Sequence, residues 1–165
     1  MIRIAVTGPE SSGKTTLCEA LAKHFNVTFI PEFSRTYLEA TNGKYSQVDL
    51  DKIAQGQLDS LNASNDSIKI CDTDFSVIEI WSDYKYVEVS SFIKELAAKD
   101  LFDLHILCTP DIPWEDDPLR ENPDDRDVLF ELYVASLNKH NKQYITVSGD
   151  HEQRLEKSLE KINSL

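Results

Sequence analysis

The sequence contains the stretch Gly8-Pro9-Glu10-Ser11-Ser12-Gly13-Lys14-Thr15. It matches the phosphate-binding pattern G-x-x-x-x-G-K-[ST] at every constrained position. Residues 1–7 are mostly apolar and predict a short strand, and apolar residues after the stretch recur every four positions and predict a helix over residues 16–25. In this arrangement the backbone N–H groups of the loop converge on an anion at the helix N-terminus. The sequence therefore predicts a binding site for a nucleoside triphosphate.

Two side chains of this loop are predicted to bind the nucleotide or its metal ion. Lys14 supplies a mobile positive charge for the outer phosphates, and the hydroxyl of Thr15 is a ligand for Mg²⁺. A chance match that binds nothing is disfavoured because the flanking strand and helix are also present. We expect ATP as phosphate donor, Mg²⁺ as cofactor, and the nucleotide-binding residues Gly8, Glu10, Ser11, Ser12, Gly13, Lys14, Thr15 and Thr16.

The composition favours a small-molecule ligand over a polymer. The chain has 165 residues, which predicts one domain over residues 1–165, and its formal charge is −12, from 17 basic and 29 acidic side chains. The basic residues are dispersed, so nucleic acid is not expected as a partner. A small anionic ligand needs only a few placed Arg and Lys residues and a metal ion. The oligomeric state is left open.

Membrane and secretory segments are not expected either. No apolar run reaches the roughly 18 residues that span a bilayer, and the sequence starts directly with a predicted strand instead of a signal peptide. Cys18, Cys71 and Cys108 are widely spaced within apolar segments, which predicts reduced core residues. We therefore expect a cytoplasmic protein.

Segments with strand and helix periodicity alternate along the chain. The predicted strands are residues 1–7, 27–30, 68–71, 101–108 and 144–147, with helical segments between them. This alternation predicts an α/β fold with a five-stranded parallel sheet and helices on both of its faces. Residues 110–126 mix several prolines with Asp, Glu and Arg, which predicts a long loop that acts as a lid.

Polar residues follow the predicted strands, where ligands of parallel α/β sheets bind. Asp72 follows the third predicted strand and is expected to complete the Mg²⁺ shell with Thr15. Asp74 either contacts the acceptor or caps the next helix. Glu32 follows the second predicted strand, so Glu32 or Asp74 is expected to accept the proton of an acceptor hydroxyl. Arg35 holds an anion or orients Glu32, unless these two residues form only an exposed pair at a helix start.

Arg120 and Arg126 lie in the predicted lid. Phosphoryl transfer requires positive charge over the transferred group, and an arginine on a closing loop supplies it while excluding water. The alternative is that both arginines form surface ion pairs with neighbouring acids. Trp81 lies on a predicted helix, either in the core or in the wall of the crevice. The predicted catalytic residues are Lys14, Glu32, Asp72, Asp74, Arg120 and Arg126.

Five motifs follow one another in the chain. They are G-x-E-S-S-G-K-[ST]-T-L at residues 8–17, E-x-x-R-x-Y at Glu32, Arg35 and Tyr37, D-K-I-A-x-G at residues 51–56, D-T-D-F at residues 72–75, and P-W-x-x-D-x-L-R…R…F at Pro113, Trp114, Asp117, Leu119, Arg120, Arg126 and Phe130. With these motifs the chain resembles, over nearly all of its length, the nicotinamide riboside kinase domain of the bacterial bifunctional NAD-salvage and regulator protein. The resemblance implies a P-loop kinase fold, similar to that of nucleoside and nucleotide monophosphate kinases, with a five-stranded parallel sheet and a mobile lid.

The resemblance implies ATP-dependent phosphorylation of the ribose 5′-hydroxyl of nicotinamide riboside. The implied substrate-binding residues are Glu32, Arg35, Tyr37, Asp74, Trp81 and Trp114. Relatives are expected to stack the nicotinamide ring on an aromatic residue where this chain has Pro31, and the candidates to replace it are Phe33, Trp81, Tyr84 and Trp114. The 165 residues hold neither the adenylyltransferase nor the DNA-binding part of the longer relatives, so only the kinase step is expected.

Two other functions are left open by the sequence. One is phosphorylation of another nucleoside or of a small hydroxyl-bearing metabolite. The other is a regulatory P-loop NTPase. A GTPase switch is disfavoured because residues 138–141, Asn-Lys-His-Asn, lie in a helical pattern and do not complete the guanine-reading N-K-x-D motif.

Overall fold

A parallel sheet of four strands lies at the centre of the computed structural model, which describes residues 1–99 and 101–165. The sheet order is β2-β1-β3-β4, and the strands are β1 (Ile2–Thr7), β2 (Ile68–Asp72), β3 (Leu104–Cys108) and β4 (Tyr144–Val147). The helices are α1 (Lys14–Phe25), α2 (Phe33–Ala40), α3 (Gln47–Ala63), α4 (Phe75–Tyr86), α5 (Ser91–Ala98), α6 (Arg126–Lys139) and α7 (His151–Ile162). The predicted α/β class and parallel strand direction are confirmed.

Helices cover both faces of the sheet. Successive side chains of a strand point to opposite faces, so apolar residues of one strand pack against the helices on each side. Ile4 and Val6 of β1 pack on one face with α1 and α7, whereas Ala5 packs on the other face with α3, α4 and α5. All residues of β3 are buried, as expected for a parallel strand covered on both sides. The carboxyl ends of the strands are therefore the part of the sheet that is open to a ligand.

The predicted five-stranded sheet is wrong, because residues 27–30 do not form a strand. Ile30 makes a single parallel bridge to Cys71, and the rest of this segment does not pair. Pro31 follows directly and has no N–H group with which to continue the ladder. At the other end, the N–H of Val27 is bound to a carbonyl of α1 at 3.0 Å. The bridge still holds the chain beside β2, so Glu32 follows at the carboxyl end of the sheet.

Two further expectations concern the cysteines and the membrane. Cys18, Cys71 and Cys108 are buried and free, as predicted. Within the two described ranges, no helix combines the length and apolar character needed to cross a lipid bilayer.

Helix α3 packs closely on the start of α2 at Gly56. A Cβ atom at this position would lie 2.2–2.4 Å from three ring atoms of Phe33. The next residue, Gln57, is buried and accepts the N–H of Phe33 through Oε1 at 2.7 Å. A glycine inside a helix lowers the stability of the helix by about 1 kcal/mol compared with alanine. The close packing on Phe33 explains why glycine occupies position 56. The contact orients α2, which carries Arg35 and follows Glu32.

We predict that Gly56→Ala lowers the free energy of unfolding by about 1–3 kcal/mol, because the new methyl group overlaps the ring of Phe33. Helix propensity by itself predicts the opposite sign, a gain of about 1 kcal/mol. Urea denaturation gives the difference, with Gln55→Ala, an exposed neighbour on the same helix, as control. A Gly56→Ala protein as stable as the wild type would show that Phe33 moves aside without cost.

Candidate active site

The phosphate-binding loop, residues 8–15, requires glycine at two points. Gly8 has φ +134°, and a Cβ atom there would lie 2.6 Å from the carbonyl oxygen of Cys108. Gly13 has φ +80° and precedes α1 as its N-cap residue. Lys14 Nζ donates hydrogen bonds to the carbonyl oxygens of Gly8 (3.0 Å) and Pro9 (2.9 Å), so the ammonium group lies over the loop.

Arg154 of α7 supports this loop and was not predicted from the sequence. It is 2% exposed. Its guanidinium donates to the carbonyl oxygens of Ser12 (2.8 Å), Gly149 (2.8 Å) and Thr109 (3.2 Å) and pairs with Asp111. The three carbonyls belong to the loops after β1, β4 and β3, so one cation joins all three. Helical periodicity could have indicated that Arg154 is buried, because this arginine lies on the buried face of an amphipathic helix.

A cavity of about 510 Å³ opens between the phosphate-binding loop and helices α2, α4 and α6. Residues 8–16 line it, together with the predicted site residues Glu32, Arg35, Trp81 and Arg120. Among the residues that the structure describes, the predicted site residues outside this lining are Tyr37, Asp72, Asp74, Trp114 and Arg126. Lining residues that sequence reasoning did not find include Leu38, Tyr45, Ile80, Tyr133 and His151.

Thr15 and Asp72 lie together beside the cavity. The hydroxyl of Thr15 donates to Asp72 Oδ2 at 2.6 Å, and Asp72 Oδ1 is buried with no hydrogen-bond partner in the described part of the chain. Burial raises the pKa of Asp72 above its usual value, although the charge of Lys14 opposes this shift. An unpartnered carboxylate oxygen beside a hydroxyl is a donor set that suits Mg²⁺. No group of three or more His, Cys, Asp and Glu side chains in the described residues is arranged for a metal ion.

Asp74 has a different set of partners from Asp72, and the residue between them has an unusual backbone conformation. Thr73 has φ +95°, a conformation that β-branched residues rarely adopt. Asp74 then accepts hydrogen bonds from the hydroxyl of Thr7 (2.8 Å) and, as N-cap of α4, from the N–H of Val77 (3.4 Å). His105 Nε2 lies 3.5 Å from its other oxygen. Asp74 is 2% exposed, so its carboxylate is enclosed by groups that hold α4 in place.

Glu32 and Arg35, at the start of α2, line the cavity. Glu32 is the N-cap residue of α2, and its carboxylate accepts a hydrogen bond from the hydroxyl of Ser34 at 2.6 Å. Arg35 forms a salt bridge of 2.7 Å with Asp117. The hydrogen bond from Arg35 holds the pKa of Asp117 below its usual value. Glu32 therefore borders the cavity, while Arg35 joins α2 to the loop that precedes α6.

That loop, residues 109–125, contains neither helix nor strand in the described structure and lies against the phosphate-binding loop. Arg126 Nη1 donates to the carbonyl oxygens of Ser11 (3.0 Å) and Ile112 (3.0 Å), and Arg120 Nη1 lies 3.4 Å from the hydroxyl of Ser11. Both guanidinium groups lie over the ring of Trp114, 5.8 and 5.7 Å from its centroid. The ring supports the two cations by cation–π attraction.

A second set of contacts joins the 109–125 loop to Glu10 and α4. The carboxylate of Glu10 accepts the N–H groups of Glu121 (3.1 Å) and Asn122 (3.0 Å). Lys85 of α4 forms a salt bridge of 3.0 Å with Glu121. The loop therefore borders the cavity from the phosphate-binding loop to α4.

Aromatic side chains form part of the cavity wall. Trp81 and Tyr84 of α4 line it, as does Tyr45, which lies in the turn between α2 and α3 where no periodicity indicates its direction. The rings of Trp81 and Tyr45 meet edge to face with centroids 4.8 Å apart, and Trp81 Nε1 donates to the hydroxyl of Tyr45 at 2.9 Å. The hydroxyl of Tyr37 instead donates to Asp49 at 2.7 Å.

A glycine-rich loop that links β1 to α1 in a parallel α/β sheet, with Lys14 and Thr15 at its end, defines a P-loop nucleotide-binding protein. The family described as AAA domain matches residues 3–154, and the chain belongs to this family.

Two curated relatives bear on the predicted resemblance. The trifunctional NAD biosynthesis/regulator proteins NadR of Salmonella typhimurium and Escherichia coli are each 30% identical to this chain over 174 residues. The alignments cover 98% of this chain and 42% of each relative, so the chain spans about two-fifths of their length. The predicted resemblance to the bacterial NAD-salvage and regulator protein is confirmed.

Solved structures share the fold. The NadR protein in complex with NR has a TM-score of 0.82 and 22% identity, with 99% of this chain and 50% of that chain covered. The NadR protein in complex with NAD and AMP-PNP has a TM-score of 0.76 and 22% identity, with 99% and 49% covered. Deoxyadenosine kinase from M. mycoides with bound dATP has a TM-score of 0.56 and 18% identity, with 99% and 100% covered. The chain therefore has a P-loop kinase-like fold.

We predict that Asp72→Asn raises the free energy of unfolding at neutral pH in metal-free buffer. The folded-state pKa of Asp72 is raised by burial, so its ionised carboxylate opposes folding above that pKa. This cost decreases as the pH falls from the raised folded-state pKa to the unfolded-state pKa, and it is absent below both. Thermal unfolding at neutral pH and in acid is expected to show a stabilised variant whose advantage is lost in acid.

The matched control for this prediction is Asp49→Asn, which is expected to have the opposite sign. Hydrogen bonds from Lys52, Tyr37 and Ser46 hold the pKa of Asp49 below its usual value. Its carboxylate therefore contributes stability at neutral pH that is lost in acid, and the exposure of its ion-pair partner Lys52 keeps the effect small. A lower midpoint for Asp72→Asn than for the wild type at neutral pH would show that burial does not strain this carboxylate.

Proposed function

We propose that this chain is an ATP-dependent kinase that phosphorylates the ribose 5′-hydroxyl of nicotinamide riboside to give nicotinamide mononucleotide. The observation that carries the proposal is that the phosphate-binding loop and Glu32 line one cavity of about 510 Å³. Transfer of a phosphoryl group needs donor and acceptor held together in such a site. The choice of acceptor is supported by the NadR relatives, which are NAD biosynthesis proteins, and by the NadR structure that contains NR.

On the donor side, the phosphates are assigned to the backbone N–H groups of residues 8–15 and to Lys14. In the nucleotide complex, Lys14 is expected to exchange its contacts with the carbonyl oxygens of Gly8 and Pro9 for contacts with phosphate oxygens. Thr15 and Asp72 are the residues that would hold Mg²⁺, directly or through water. Bound Mg²⁺ neutralises phosphate charge in such sites.

On the acceptor side, Glu32 is the better placed of the two candidate bases. It borders the cavity, whereas Asp74 is buried and already accepts hydrogen bonds from Thr7 and Val77. As the hydroxyl oxygen attacks the terminal phosphorus and ADP leaves, the hydroxyl proton passes to the carboxylate of Glu32. A sugar hydroxyl has a high pKa, so this transfer is late, and positioning and charge stabilisation supply most of the rate.

The proposed lid is the segment of residues 110–126. It contacts the phosphate-binding loop through Arg120 and Arg126, and it contacts α2 through the salt bridge between Asp117 and Arg35. Closure of this segment would exclude water and bring the two lid arginines towards the transferred phosphoryl group. Arg120 is the nearer candidate for this role because it already lines the cavity.

The cavity suits a cationic aromatic acceptor. The ring of nicotinamide riboside is a pyridinium cation, and Tyr45, Trp81 and Tyr84 offer aromatic faces in the wall. The carboxylates of Glu10 and Glu32 border the same space, and the chain carries a formal charge of −12. These charges favour a cationic acceptor over an anionic one.

The proposal extends to organisation and location. Residues 1–165 are proposed to form one domain that carries out this kinase step, with ATP and nicotinamide riboside as its small-molecule partners. A cytoplasmic location is supported by the three free and buried cysteines, which fit a reducing compartment.

Glu32→Gln is expected to lower kcat by about 10²–10⁴ with little change in the affinity for Mg-ATP, because glutamine keeps the shape of the side chain but cannot accept the proton. Asp74→Asn is expected to lower the melting temperature, since an amide NH₂ group cannot accept the hydrogen bond that the Ser76 hydroxyl donates to Asp74 Oδ2. Steady-state kinetics, nucleotide titration and thermal unfolding separate the two effects. A fully active Glu32→Gln protein beside an inactive but stable Asp74→Asn protein would reverse the roles.

With Mg-ATP, the purified protein is expected to phosphorylate nicotinamide riboside faster than uridine, cytidine or thymidine. Mass spectrometry of the products measures each rate, and Lys14→Met serves as the inactive control because it removes the phosphate-binding cation. A clear preference for one of the nucleosides would change the acceptor and keep the kinase assignment. ATP hydrolysis that no acceptor stimulates would favour a regulatory P-loop NTPase instead.

A further inference from the structure

The part of the cavity wall formed by α4 and α6 contains one tyrosine in an apolar surrounding. Tyr133 of α6 lines the cavity, as do Val77, Ile80 and Leu129, and these four residues pack in one hydrophobic cluster. Tyr133 is 6% exposed, so more than nine-tenths of it is buried.

The hydroxyl of Tyr133 makes no hydrogen bond to any residue in the ranges 1–99 and 101–165. Its oxygen is not completely enclosed, because Asp72 Oδ1 is the atom that is both enclosed and unpartnered in those ranges. The other tyrosines of the wall are paired: Tyr45 accepts from Trp81, and Tyr84 donates to a carboxylate. Buried phenol groups normally have a partner, so the partner of this one is expected to come from the cavity.

Three carboxylates act on this phenol. Burial raises the pKa of Tyr133 well above its usual value, and the charges of Asp74, Glu32 and Glu10 raise it further. The hydroxyl therefore remains protonated at neutral pH and is available as a hydrogen-bond donor. Tyr133 and Glu32 line the same cavity, and the proposed function places Glu32 next to the acceptor hydroxyl, so the sugar is the part of the acceptor that we assign to this donor.

We propose that the Tyr133 hydroxyl donates a hydrogen bond to the 2′- or 3′-hydroxyl oxygen of the ribose of the bound acceptor and so helps to select a riboside. The proposal rests on the proposed kinase function and specifies the contact that its acceptor site makes with the sugar. The sugar is preferred over the aromatic ring as the partner, because the aromatic faces of Tyr45, Trp81 and Tyr84 are available to the ring.

The first test compares Tyr133→Phe with Tyr144→Phe. Tyr144 packs against the same hydrophobic cluster but does not line the cavity, so it controls for loss of a phenol hydroxyl. Tyr133→Phe is expected to lower kcat/KM for nicotinamide riboside about tenfold, mainly through KM, which corresponds to one neutral hydrogen bond. The KM for ATP and the melting temperature are expected to stay at the wild-type values. Equal losses in both variants would indicate packing and would overturn the proposal.

The second test removes the 2′- or 3′-hydroxyl group from the ribose of the ligand. The dissociation constants of nicotinamide riboside and of its 2′-deoxy and 3′-deoxy analogues are measured by calorimetry with Mg-ADP present, for the wild type and for Tyr133→Phe. The variant is expected to bind the riboside about tenfold more weakly and to bind one deoxy analogue as well as the wild type does. Equal losses on all three ligands, or no loss on any, would overturn the proposal.

The two proposals fail in different ways. Wild-type protein that phosphorylates another nucleoside but not nicotinamide riboside would overturn the proposed acceptor, and both tests then apply to that nucleoside and its deoxy analogues. Wild-type protein that neither binds nor phosphorylates any riboside would overturn both proposals. An active wild type whose Tyr133→Phe variant is unchanged would overturn only the contact proposed for Tyr133.

Discussion

Three loops of the site depend on one buried guanidinium group. Arg154 binds the carbonyl oxygens of Ser12, Thr109 and Gly149, which follow β1, β3 and β4. Burial of an arginine is costly unless its donors are satisfied, and here the carbonyls and Asp111 satisfy them. Because the phosphate-binding loop and the start of the 109–125 loop are held by the same cation, the proposed donor site and lid have a common anchor.

Asp72 and Asp74 are close in sequence but differ in whether their carboxylate oxygens are available to a ligand. Asp72 is left with a buried oxygen that no described residue satisfies, whereas the oxygens of Asp74 are used to hold the start of α4. Thr73, the residue between them, has a positive φ of +95°. Local strain of this kind is common at functional sites, where the surrounding structure sustains it. One short segment therefore supplies both the proposed cation ligand and the support for the helix that carries Trp81.

Local sequence patterns predicted the loop, the first strand and helix, and the α/β class, because glycine spacing and hydrophobic periodicity act over a few residues. They did not predict that the pairing of residues 27–30 stops at Ile30, since that depends on Pro31 and on the end of α1. Nor did they predict the contacts of Arg154, whose partner Ser12 is 142 positions away. The motifs located Tyr37 and Asp74 near the site, but the direction of each side chain depends on tertiary partners.

The three cysteines lie in the sheet and in the helix directly behind the phosphate-binding loop. Burial raises the pKa of Cys71 to about 12 and that of Cys108 to about 11, and it also raises the pKa of Cys18. In the folded protein these thiols are protonated and buried, so they do not react with alkylating reagents or oxidants as thiolates. Their modification therefore requires local unfolding, and its rate measures how often the sheet opens next to the phosphate-binding loop. A bound nucleotide would slow that reaction to the extent that it stabilises this part of the fold.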